Sequence, residues 1–86
     1  VGFLTTLAEG YMLLGMDAEG VAAYRKVLDV SPDDLNALLS LGNFYAANDD
    51  DQASRVKAME YLEKAYSIRA TPYVAATLKR LRQPFK

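Results

Sequence analysis

Residues 4–11 read LTTLAEGY and residues 38–45 read LLSLGNFY. Leu4, Leu7, Ala8 and Tyr11 thus recur as Leu38, Leu41, Gly42 and Tyr45, each 34 positions on. Within each stretch the four residues stand at i, i+3, i+4 and i+7, the spacing of one apolar stripe on an α-helix. A fixed period of this length marks stacked structural repeats, in which no unit buries its apolar face alone. Function in such a chain is expected in the surface that the stack creates rather than in a catalytic pocket.

Outward from these stripes, punctuation residues bound the helices. The first is expected over residues 3–14, closed by Gly15, with Asp17 capping the next start. The second is expected from Ala18 to Val30, with Val21, Tyr24, Val27 and Leu28 on its buried side and Gly20 allowing a close approach of its partner. In Ser31-Pro32-Asp33-Asp34, the proline keeps Ser31 out of the α region and either aspartate can cap the third helix. Thr71-Pro72 opens a last helix that runs to about Arg82. Its apolar stripe is Val74, Leu78, Leu81 and Phe85, its wet face Lys79, Arg80, Arg82 and Lys86, and its terminator Pro84.

The fourth helix breaks the period. Its Ala58, Met59, Leu62, Ala65 and Ile68 match Gly20, Val21, Tyr24, Val27 and Val30 at a separation of 38. The four extra residues equal about one helical turn, and Ala53-Ser54-Arg55-Val56-Lys57 holds no Gly or Pro. The fourth helix is therefore expected to begin a turn early, capped near Asp51; the alternative is a longer loop over Asp49 to Ser54.

Eighty-six residues, 51% hydrophobic and 24% charged, fit one small globular domain and argue against intrinsic disorder. Leu, Ala, Tyr and Met dominate, with few β-branched runs, which favours helix. Cys and His are absent, so thiolate nucleophiles, imidazole bases, zinc sites and disulfides are all removed from consideration. Ser31, Ser40, Ser54 and Ser67 have no evident base, and Glu60 with Glu63 is ordinary on a helix surface, so no enzyme activity and no cofactor are expected. No apolar run approaches the 18 or so residues of a membrane span, and no signal or lipidation pattern is present, so no membrane association is expected. The chain opens on Val1 inside what should already be a helix, as an excised fragment would.

Charge is uneven. Residues 1–68 carry five basic and eleven acidic side chains, whereas residues 69–86 carry five basic and none acidic. One short basic end on an acidic chain lacks the broad basic face that nucleic acid demands, and no nucleic-acid partner is expected. Asp49, Asp51 and Glu60 fit positions 1, 3 and 12 of a calcium loop. Ser54 replaces its glycine, however, and Arg55 and Lys57 put cations inside it, so a solvated turn is the better reading.

The order of these signals resembles the tetratricopeptide repeat: a large-x-x-Leu-Gly/Ala-x-x-Tyr stripe, a glycine turn, a small residue opening the second helix, an aromatic four later, and a closing proline. Residues 1–34 fit as a first repeat, with Gly20 and Val27 in place of the usual alanines. Residues 35–70 fit as a divergent second repeat, with Asp49 in place of the turn glycine and the four-residue insertion. Residues 71–86 depart from the pattern, because continuing the offset would bury Lys79 and Arg80, and read as a capping helix. The resemblance implies an all-α superhelix of about five antiparallel helices whose concave groove binds a peptide or helix of a protein partner, as part of a scaffold or adaptor. By position, it implies a groove lined by Thr5, Glu9 and Met12 from the first helix and Asn36, Leu39, Ser40, Asn43 and Ala46 from the third. Asn43 matches an asparagine that family members use to hold a peptide. Thr5 and Glu9 stand where chaperone-binding members carry their carboxylate clamp, and Glu9 would repel an acidic tail. The alternatives are a purely structural segment of a longer array and a self-association domain, since Met12, Leu13 and Leu39 exceed what two repeats and a cap are expected to bury.

Overall fold

Residues 2–48 and 51–82 are described by the computed structural model. Among them the chain forms five helices and no strand: α1 (Gly2–Leu13), α2 (Asp17–Val30), α3 (Leu35–Ala47), α4 (Gln52–Ile68) and α5 (Pro72–Leu81). The expectations that concern Val1, Asp49, Asp50, Pro84, Phe85 and Lys86 lie outside these residues. The chain is all-α, and its helices pack in chain order as α1 on α2, α2 on α3, α3 on α4 and α4 on α5.

The turns follow local chemistry. Gly15 takes φ 78°, and the N–H groups of Gly15 and Met16 bond to the carbonyls of Met12 and Tyr11, the paired bonds of a Schellman motif. Asp34 accepts the Ala37 N–H at 3.0 Å and Asp51 the Ser54 N–H at 2.8 Å, while Thr71 accepts from Val74 with Pro72 just inside α5. The early start of α4 is thus realised, with Asp51 as its cap. The Asp51 carboxyl is held below the usual carboxylate range, first by the Ser54 backbone N–H, then by the Ser54 hydroxyl, with Lys57 adding to the effect. One start differs from expectation. Asp17 is the first residue of α2 and not its cap; Met16 occupies the cap position and offers no side-chain acceptor.

Two apolar clusters hold the helices together. Ala8, Ala23, Tyr24, Val27, Ala37 and Leu41 join α1, α2 and α3; Ala46, Ala58, Leu62, Val74, Leu78 and Leu81 join α3, α4 and α5. Tyr45 touches both. Its ring stacks on Tyr61 at 6.0 Å and meets Phe44 edge-on at 5.3 Å, and the Lys57 ammonium lies 5.4 Å from its centroid. Burial in this stack holds the Tyr61 phenol above its ordinary pKa.

The expected buried faces are largely recovered, but Leu7 of the first stripe is exposed, because α1 has α2 alone as its principal neighbour. Val30 and Ile68, the matched last residues of α2 and α4, are both exposed. Arg55, which the sequence places in the inserted turn, is buried: its Nη2 donates to the Leu81 carbonyl at 2.7 Å. The inserted turn of α4 thus supplies the group that satisfies an unpaired carbonyl at the end of α5. From α5, Arg80 donates to the Ala46 carbonyl of α3 at 3.4 Å and Arg82 pairs with Glu63 of α4 at 3.0 Å. Two of the three arginine contacts end on backbone carbonyls, so α5 is fixed by hydrogen bonds as well as by its three buried apolar residues.

Candidate functional site

On α3 the core takes Ala37, Leu38, Leu41, Gly42 and Ala46. At 3.6 residues per turn, Asn36, Ser40 and Asn43 then lie on the opposite side, where Asn36 is exposed and the other two half-buried. On α1, Ala8 is the buried residue; Glu9 is exposed and Thr5 half-buried. These five expected groove residues are accessible.

The other three are committed to packing. Ala46 is 5% exposed and belongs to the cluster beneath α5; Leu39 packs against that same cluster. Met12 packs on the first cluster, with its side chain in the space where a Gly20 Cβ would stand, 2.9 Å from Met12 Cγ and Sδ. Ala46 is therefore withdrawn from the groove, and Leu39 and Met12 serve chiefly as its floor. For Ala46 and Leu39 the reason is α5, whose position next to α3 was not contained in the repeat pattern; Met12 is held by α2.

In their place the structure brings two other residues to the surface. The Tyr73 hydroxyl of α5 donates to Asn43 Oδ1 at 3.3 Å, and the Tyr73 side chain is otherwise largely exposed. Asn43 keeps its amide N–H donors on a surface bounded by an aromatic ring. Leu13, 34 positions before the exposed Ala47, is 88% exposed on α1. The accessible groups are thus an acidic one, Glu9, on α1, neutral amides on α3, and Tyr73, joined to Asn43, on α5. Tyr73 could have been noticed in the sequence only as an aromatic off the apolar stripe of its helix.

Among the described residues there is no cluster of His, Cys, Asp or Glu able to hold a metal ion, and no helix long and apolar enough to cross a membrane. No protein-family model, no curated protein and no solved structure matches this chain.

Proposed function

We propose that this chain is a tetratricopeptide-like, non-catalytic interaction module, and that the surface running over α1, α3 and α5 binds an extended peptide of a protein partner. The observation that carries this reading is the contact between Tyr73 and Asn43, 30 residues apart in sequence, which joins an exposed aromatic ring to an amide. An amide offers hydrogen bonds to a peptide backbone and an adjacent ring offers apolar area at small entropic cost, the combination that recurs in peptide-recognition surfaces. The 34-residue echo in the sequence, the serial packing of the helices and the glycine-closed hairpin at Gly15 support the family reading. The exposed carboxylate of Glu9 supports a peptide with a basic residue near it.

Selection from a displayed peptide library, followed by titration of the captured sequences, tests the proposal. Asn43→Ala and Tyr73→Ala should each weaken a captured peptide by roughly tenfold or more, and Tyr73→Phe by less. Peptides bound equally well by all three variants would remove the proposed surface, and failure to select any peptide would favour a purely structural segment of a longer array.

A further inference from the structure

Six of the 86 side chains are tyrosines, and Cys and Trp are absent. Thiols and indoles are the groups that compete with phenols in yielding single electrons to an oxidant, while the three methionines are oxidised by taking up an oxygen atom. One-electron oxidation of this chain therefore collects on tyrosine. Two of the six are held together: the Tyr45 ring of α3 and the Tyr61 ring of α4 stack with centroids 6.0 Å apart and planes 7° from parallel. Both are half-buried. Burial is the chief reason that the Tyr61 phenol is held above its ordinary pKa, and the Tyr45 phenol adds to it against the pull of Arg25, so the two hydroxyls are near enough to feel each other's charge. The ring carbons that flank those hydroxyls are the ones at which phenoxyl radicals couple.

We propose that Tyr45 and Tyr61 are an oxidative modification site, at which a one-electron oxidant acting on each ring joins the pair as bityrosine and staples α3 to α4. Each phenol gives one electron to the oxidant and its hydroxyl proton to water. The two phenoxyl radicals then form a carbon–carbon bond between ring positions next to the oxygens. The hydrogen on each of those carbons leaves as a proton and a proton returns to each oxygen, so the chain ends with two phenols, one new bond and two hydrogens fewer.

The fold separates this pair from the other tyrosines. Tyr66 and Tyr73 are 41% and 62% exposed and meet the rings of other chains, whereas Tyr24, 3% exposed, is enclosed in the core. A radical on either stacked ring has its partner at a fixed short distance, an effective concentration far above that of any second chain in dilute solution. Coupling within the chain is thus favoured over coupling between chains. The link would join positions 16 apart in sequence and on different helices, which removes freedom from the unfolded chain as a disulfide does. Neither Asn43 nor Tyr73 takes part, so peptide binding and cross-linking can fail independently.

Illumination of the whole chain at low micromolar concentration with a ruthenium trisbipyridyl complex and persulfate tests the proposal. Persulfate accepts both electrons and ends as two sulfates. A monomeric product with the blue fluorescence of bityrosine and a mass lower by two hydrogens is expected, its yield per chain unchanged on dilution. Trypsin should release residues 27–55 joined to residues 58–64, the segments that contain Tyr45 and Tyr61. Tyr45→Phe and Tyr61→Phe, which keep both rings in the stack, should each abolish this product with helicity by circular dichroism unchanged, whereas Tyr66→Phe and Tyr73→Phe should leave it. The linked chain should melt higher by roughly 10 °C. Bityrosine confined to covalent dimers, a monomeric link between other tyrosines, no bityrosine at all, or a linked chain that melts no higher would each overturn the proposal.

Discussion

The two helix pairs, α1 with α2 and α3 with α4, carry the same stripe and meet different fates. Leu41 is fully buried while Leu7, its counterpart, is 37% exposed; Leu38 is 2% exposed while Leu4 is only half-buried. The residues are the same, so the difference comes from their neighbours. Helix α3 is covered by α2 on one side and by α4 and α5 on the other, whereas α1 has α2 alone as its principal neighbour. In a stacked fold a stripe states what can be buried, and position in the stack states what is.

The largest expected effect tests that difference. Leu41→Ala should destabilise the chain by about 2–5 kcal/mol, through lost burial and a cavity that the surrounding helices cannot collapse. Leu7→Ala in the monomer should cost roughly 1 kcal/mol. Equal losses, measured by urea denaturation at a concentration where the chain is monomeric, would mean that the α1 stripe is covered after all.

The two glycines on the inner faces of the hairpins sharpen the same contrast. A Cβ at Gly42 would lie 2.5–2.6 Å from Cδ2 and Cγ of the fully buried Leu62, while a Cβ at Gly20 would meet only the flexible Met12 side chain. Gly42→Ala should cost about 1–3 kcal/mol by overpacking. Gly20→Ala should be neutral or stabilising, since Met repacks readily and alanine favours the helix by up to about 1 kcal/mol. Thermal unfolding should therefore fall for Gly42→Ala and hold or rise for Gly20→Ala.

The inserted turn of the second pair gives a third test. Arg55→Met keeps the apolar stem but leaves the Leu81 carbonyl without the bond it now accepts, and a loss of roughly 1–3 kcal/mol is expected. Hydrogen exchange should quicken first in α5 and leave α1 and α2 unchanged; uniform quickening would mean that α5 is not held locally by this contact.

Caps produce the smaller effects. Helix α2 starts at Met16 with no side-chain acceptor, whereas α3 starts at Asp34 with one. Met16→Asp should therefore stabilise the first pair by about 0.5–1 kcal/mol, although part of that gain offsets the loss of the partly buried Met16 side chain. The smallest effect is the pH dependence of α4. Its Asp51 carboxyl titrates below the ordinary value of about 3.9, so folding favours the ionised form. The stabilisation is complete above that value and is lost as pH falls through the lower folded one. Asp51→Asn should flatten the part of the acid unfolding curve below about pH 4, and a curve left unchanged would show that the Asp51 to Ser54 bond contributes nothing to stability.

Much of this architecture was legible from residue types and spacing. Gly15, Asp34 and Thr71-Pro72 act within three or four residues of where they stand, which is why the helix ends they set could be read directly. The extra turn of α4 followed from a four-residue slip in register with nothing to stop a helix. The candidate site was less legible. Thr5, Glu9, Asn36, Ser40 and Asn43 are accessible as the resemblance implied, but Ala46 and Leu39 pack beneath α5, and Tyr73 reaches Asn43 across 30 residues of sequence.

The sequence by itself determined the helices, their order and the apolar side of each, because periodicity and capping are properties of neighbouring residues. Only the tertiary structure decided which of two closely similar stripes is closed, that Arg55 is an internal tie, and that α5 packs over Ala46 and Leu39 while its Tyr73 reaches Asn43. Those outcomes depend on contacts between residues far apart in the chain, whose energies arise from burial and hydrogen bonding among helices and leave no local mark in the sequence.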